Sequence, residues 1–283
     1  MRLAYEEYVP HYPLAFDRDG PISQTFSVGR VKFIMTDLRS ERDSVTNKDD
    51  ATKTILGDKQ KSWLKQQLIE ANGKYPLIVW MSTVPWIGDS KTNIYRNVRT
   101  NEYGFIHHTN LVGRTNAQTG GRGFGARGTN EVSGSRTNSN RGQSGLGAQP
   151  PRTDDDHWSV YTTERREMAD FIKGNGIKGV CIIHGDSHML AADDGSNSDY
   201  ATGGGAPIPV MCGGPLDQNA SLKGGPYSQG VYKMKANEGG FGLMSVEDRG
   251  SRIDVTYSGR NNRNEEKITM KFTVPATASP SKK

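Results

Sequence analysis

Apolar positions along this chain fall in short runs separated by amphipathic stretches. The first run, VKFIMTD at 31–37, is nearly all apolar and passes into charge at Asp37, Arg39, Glu41 and Arg42. Such a run reads as a strand covered on both faces. LGDKQKSWLKQQLIEANGKYP then reads as a helix. Leu64, Leu68 and Ala71 stand at i, i+4 and i+7, Trp63 widens the stripe, Asp58 suits the first turn, and Asn72-Gly73 stops it. PLIVWMSTVPW predicts a second strand that ends in Ser82, Thr83 and Pro85. A second helix begins at Thr162 or Thr163 as cap, buries Met168, Phe171 and Ile172, and stops at Gly174-Asn175-Gly176. The third strand, IKGVCIIHGDSH, follows at once. Strands alternating with helices predict an α/β fold with parallel pairing. Beyond them IPVMC, GVYKMK, FGLMSVED, SRIDVTYSG and KITMKFTV alternate apolar and polar positions between turns rich in Gly, Asn and Asp. They predict an antiparallel half of the sheet. Residues 1–25, rich in Pro and Tyr, read as irregular.

The rhythm stops between 113 and 152, where GRTNAQTGGRGFGARGTNEVSGSRTNSNRGQSGLGAQPPR has no period and little to bury. It reads as a disordered low-complexity insertion into one domain formed by 1–112 and 153–283. Charge sharpens this division. The insertion holds six arginines and the single acid Glu131, so it carries the whole formal net charge of +5. The folded remainder is neutral, so a basic nucleic-acid-binding face is not indicated there. Any polyanion binding would be weak and confined to 113–152, where Phe124 is the lone stacking aromatic. Cys181 and Cys212 sit in apolar runs and read as core side chains. No apolar stretch reaches the length of a membrane span, and the first residues lack the apolar core of a signal peptide.

Candidate chemistry gathers where the three strands end: Asp37 and Arg39, Ser82 and Thr83, and His184-Gly-Asp186-Ser-His188. Ligands of open α/β sheets bind beyond the carboxyl ends of the strands. In an extended chain His184, Asp186 and His188 would share one face, about 6.6 Å apart along the row. Imidazole and carboxylate suit Zn, Mn and Fe. Arg39 and Arg42 are candidates for steadying a phosphate, or else a solvated charge run. Trp158 and Tyr161 could shape a substrate mouth or serve as core aromatics. Asp193, Asp194 and Asp199 invite a calcium reading, but the twelfth position from Asp193 is Gly204 instead of the Glu of an EF-hand. His107-His108 reads as exposed.

HGDSHMLAADDG, VGRVKFIMTDLRSER, ILGDKQKSWLKQQL, DDHWSVYTTERREMADFI and KGGPYSQGVY together resemble the PhoD-like (alkaline phosphatase D) metallophosphatases. The likeness runs from about Tyr5 to Val274, apart from the insertion. It implies a calcineurin-like, four-layer α-β-β-α sandwich with a metal centre at the strand ends. It also implies hydrolysis of phosphate monoesters or diesters by a metal-activated water. The metals implied are divalent or trivalent ions, Ca, Fe, Zn or Mn. By the same resemblance Asp186 and His188, matching Gly-Asp-x-His, are metal ligands and catalytic, and His184 is a weaker ligand candidate. The family's sequences carry a further N-terminal half with Asp-, Asn- and His-rich metal motifs. The expectation is therefore an incomplete sandwich, inactive without those ligands. Asp154–His157 is not expected to replace them, because it lies just before the Trp158-x-x-Tyr161 motif. The alternatives are a non-catalytic remnant, or polyanion binding through the insertion. The resemblance makes a secreted or exported location plausible. An incomplete sheet should also leave an edge open to self-association.

Overall fold

The structure is a computed structural model and describes residues 2–17, 19–88 and 156–276. The insertion, His107-His108 and part of the Asp154–His157 stretch lie outside the described residues. Contacts divide the chain into a body, Met1–His108 with Asp155–Lys283, and a second unit outside the described residues; the body alone is described below.

The apolar runs form the centre of a seven-stranded sheet of order β1-β2-β3-β4-β6-β5-β7. β2 (Val31–Met35), β3 (Leu77–Ser82), β4 (Val180–His184) and β6 (Val210–Cys212) run parallel. Between them lie α2 (Asp58–Ala71) and α3 (Thr162–Gly174). The strands alternate strictly in what they bury, as the two-residue repeat requires. On β3, Ile78 and Trp80 join the core under the helices, whereas Leu77 and Val79 join the core on the other side. On β4, Val180 and Ile182 face the helices and Cys181 faces away. Leu64, Leu68 and Ala71 of α2 are buried as the periodicity predicts, as are Met168 and Ile172 of α3. Both cysteines are buried and free.

Two sequence expectations are corrected. The later strands do not simply extend one sheet. β5 (Leu190–Asp193) and β7 (Val231–Tyr232) join the large sheet antiparallel, but β8 (Gly240–Asp248), β9 (Arg252–Asn261) and β10 (Glu266–Pro275) form a separate antiparallel sheet of order β10-β9-β8. The reason lies in β9 and β10, whose Ile253, Val255, Tyr257 and Met270 need an apolar face to cover; they find it in Val31, Val79, Cys181 and Met211. The layers of the body are thus helices, sheet and sheet. The N-terminal stretch is also more regular than its composition suggests. It holds α1 (Arg2–Tyr8) and the edge strand β1 (Gln24–Val28), which pairs antiparallel with β2. Stacking of Phe26 on Phe33 at 4.7 Å and on Tyr12 at 4.4 Å supports a strand whose sequence, QTFSV, looks polar. Among the described residues no helix is long and apolar enough to cross a membrane.

Candidate metal centre

The parallel register brings the strand ends side by side: Met35 is level with Met81, and Ser82 with His184. After β4 the chain does not stay extended. Asp186 has φ 66° and His188 φ 55°, left-handed values that non-glycine residues adopt at a cost and that gather at functional sites. The expected single-face row of His184, Asp186 and His188 therefore does not form. His188 instead turns its Nδ1 to the Asn219 carbonyl at 2.8 Å. His184 ends β4, buried, with Nδ1 2.9 Å from the Gly185 carbonyl and, among the described residues, Nε2 without a hydrogen-bond partner. Burial lowers its pKa to about 4, against the opposing Gly185 hydrogen bond, so the ring is neutral at pH 7.

Asp186 finds different company. Ligand atoms of Asp156, His157 and Asp186 all lie within 4.8 Å of one another. The last two residues of the Asp154–His157 stretch, Asp156 and His157, lie beside Asp186 in space. Distance along the sequence was misleading, because a single 3-10 turn (Trp158–Val160) docks this segment on the strand ends. The Trp158 indole packs edge-on against Trp80 and Trp86, and its Nε1 donates to Ser82 Oγ at 3.3 Å. Trp158 and Tyr161 are fully buried, which gives them the core role and not that of a substrate mouth. Tyr161 donates its hydroxyl to the Asp43 carbonyl at 2.6 Å.

The three donors fit a cation. His157 is 2% exposed, yet among the described residues its Nε2 has no hydrogen-bond partner; it lies 3.3 Å from Asp156 Oδ1 and 3.7 Å from Asp186 Oδ2. Burial outweighs the attraction of Asp156 and lowers the pKa of His157 to about 4, leaving a neutral imidazole. A neutral imidazole and two carboxylates match the preferences of Zn, Mn and Fe. Burial would raise the pKa of Asp156, but hydrogen bonding to Arg42 and the charge of Arg39 hold it below the usual carboxylate value.

Both candidate arginines reach this centre. Arg39 Nη1 is 2.5 Å from Asp156 Oδ2 and its Nη2 2.6 Å from Asp186 Oδ2. Arg42 Nη1 is 3.0 Å from Asp156 Oδ2 and 3.2 Å from the Asp156 carbonyl. Asp37 builds the turn that presents them: its carboxylate accepts from the Ile22, Arg39 and Ser40 amides and from the Ser40 hydroxyl. Buried Gln60 of α2 ties that turn down, donating to the Asp37 carbonyl at 2.8 Å and accepting from the Asp37 amide at 2.7 Å.

The calcium reading fares differently. Asp193 accepts from the Gly195, Asn197 and Ser228 amides, and Asp199 from the Gly205 and Ala206 amides. These carboxylates organise their own loops. On the opposite side of the large sheet, Met35, Met81, Ile183 and Met211 form one cross-strand row beneath Met244 and Tyr257 and line an open pocket of about 280 Å³.

Comparison with known proteins bears on what this centre is. No curated protein matches the chain. A solved structure described as "Structure of PhoD" aligns with a TM-score of 0.49 and 15% identity, over 97% of this chain and 48% of its own. The chain therefore spans about half the length of that protein. The model of the PhoD-like phosphatase family matches residues 2–260. With a match of that extent, the chain belongs to the PhoD-like phosphatase family.

Proposed function

We propose that the chain contributes a metal-binding wall to a phosphoric ester hydrolase, acting on phosphate monoesters or diesters. One observation carries the reading: Asp156, His157 and Asp186 place their donor atoms within 4.8 Å of one another at the ends of parallel strands. A bound cation supplies the charge that polarises a phosphoryl oxygen and lowers the pKa of a water. The rest is done by residues of the chain. Asp156 and Asp186 offer anionic oxygens, and His157 offers a neutral, buried nitrogen. Arg39 and Arg42 bring two guanidinium groups to the same spot, where forked hydrogen bonds suit phosphate oxygens. His184 and His188, from the end of β4 and the turn after it, are proposed as further ligands. The three layers are read as belonging to a calcineurin-like sandwich.

The test is metal content and turnover together. Purified chain is equilibrated with Mn, Zn, Ca or Fe, dialysed, and assayed for bound metal and for cleavage of 4-nitrophenyl phosphate and bis(4-nitrophenyl) phosphate. Asp186→Asn and His157→Ala should each lose the bound ion, and with it any turnover the chain shows. Retention of stoichiometric metal by both variants would refute the ligand assignment.

A further inference from the structure

A single guanidinium, that of Arg39, spans both carboxylates of the centre, at 2.5 Å from Asp156 and 2.6 Å from Asp186. The oxygens it holds belong to the donor groups that would hold a cation. A guanidinium and a metal ion cannot both sit against these carboxylates without strong like-charge repulsion. Arg42 differs: of these two carboxylates it reaches that of Asp156 alone, and it also donates to that residue's backbone carbonyl at 3.2 Å. The Arg39 side chain also reaches solvent. It is 44% exposed, while the Arg39 backbone N–H donates to Asp37 Oδ1 at 3.0 Å. Rotation about its own side-chain bonds is enough to release it.

We propose that Arg39 is a built-in counter-cation that competes with metal for Asp156 and Asp186, and that the guanidinium released on metal loading is the group that then meets the phosphate. The inference rests on the metal-centre reading and goes beyond it. Arg39 weakens the binding of metal and strengthens the binding of phosphate, so one residue makes the order of loading metal first, ester second.

Calorimetric titration of the full chain with Mn²⁺ tests this, followed by titration of the Mn²⁺-saturated protein with inorganic phosphate. Arg39→Met should bind Mn²⁺ about tenfold more tightly than wild type and phosphate about tenfold more weakly. Arg39→Lys, a point charge able to satisfy one carboxylate at a time, should fall between the two in Mn²⁺ affinity. It also guards against misfolding of the methionine variant. Arg42→Met should change Mn²⁺ affinity less than Arg39→Met. If wild type binds Mn²⁺ and both Arg39 variants bind it no more tightly, the competition is refuted and the metal centre stands. If neither wild type nor any variant binds Mn²⁺, the metal-centre reading falls and the inference with it.

Discussion

The Trp158 indole meets Trp80 and Trp86 with ring centroids 5.8 and 5.1 Å away, and the two residues before it are Asp156 and His157 of the candidate centre. Position at the site is thus set by packing one residue further on. Trp158→Ala should destabilise the fold by about 3–5 kcal/mol, the usual cost of deleting a buried aromatic, and should also weaken metal binding. Urea denaturation and Mn²⁺ titration at a temperature where the variant stays folded read the two effects. An unchanged metal affinity would show that His157 is placed by something else. The strand end that carries Asp186 was legible in the sequence, because an apolar run passing into His and Asp marks where β4 stops. Asp156 and His157 were not, since only the tertiary stacking of three tryptophans carries them there. The row of three ligands failed for a local reason: periodicity describes extended backbone, and the chain leaves that region at Asp186 and His188.

Helices α2 and α3 were legible because their stripes lie on one face of one sheet, so a 3.6-residue repeat is enough to find them. The cap of α3 was not. Neither threonine caps it through its own side chain; the Asp49 carboxylate, 113 residues earlier than Thr162, accepts from the Thr162 amide at 2.9 Å and hydroxyl at 2.6 Å, and from the Thr163 amide at 3.2 Å. Burial would raise the pKa of Asp49, but these hydrogen bonds from Thr162 and Thr163 outweigh it and hold the pKa below 3.8. The sign follows. Above the unfolded value the stabilisation is complete. As pH falls through the folded value, the unfolded chain has already taken its proton and the stabilisation is lost. Asp49→Ala should therefore cost about 1 kcal/mol at neutral pH. That gap to wild type should narrow towards the acid limit, as followed by urea titration across pH. A gap independent of pH would mean that the charge on Asp49 does not matter. Glu164, in the first turn of α3, is 1% exposed and accepts from the Thr54 hydroxyl at 2.6 Å and the Ile55 amide at 2.6 Å, with Lys61 3.3 Å away. Removing it strands buried donors, so Glu164→Ala should lower stability by about 2–3 kcal/mol in the same assay.

Seen as a whole, the molecule has its two sheets packed face to face over part of their area, and the smaller one ends in β8. Among the described residues β8 pairs with β9 on one side only, and it stands at the edge of its sheet. Its far end is pinned by Arg30, which forms a salt bridge with Asp248 and donates to the Gly250 carbonyl at 2.6 Å. Towards its middle, Leu243 is 48% exposed and Met244 lies half-buried over the methionine row. An unpaired strand edge beside partly exposed apolar side chains is a template for further pairing, and a lysine on such an edge is a common natural remedy. The wild-type body should therefore associate as its concentration rises, and Leu243→Lys should hold it monomeric with little change in stability, since Leu243 contributes little buried surface. Light scattering coupled to gel filtration distinguishes the outcomes. Association that persists in the lysine variant would move the contact to another edge, β1 or β7 of the large sheet. A wild-type monomer at every concentration would mean that the Glu247 and Asp248 charges at the end of β8 already protect the edge.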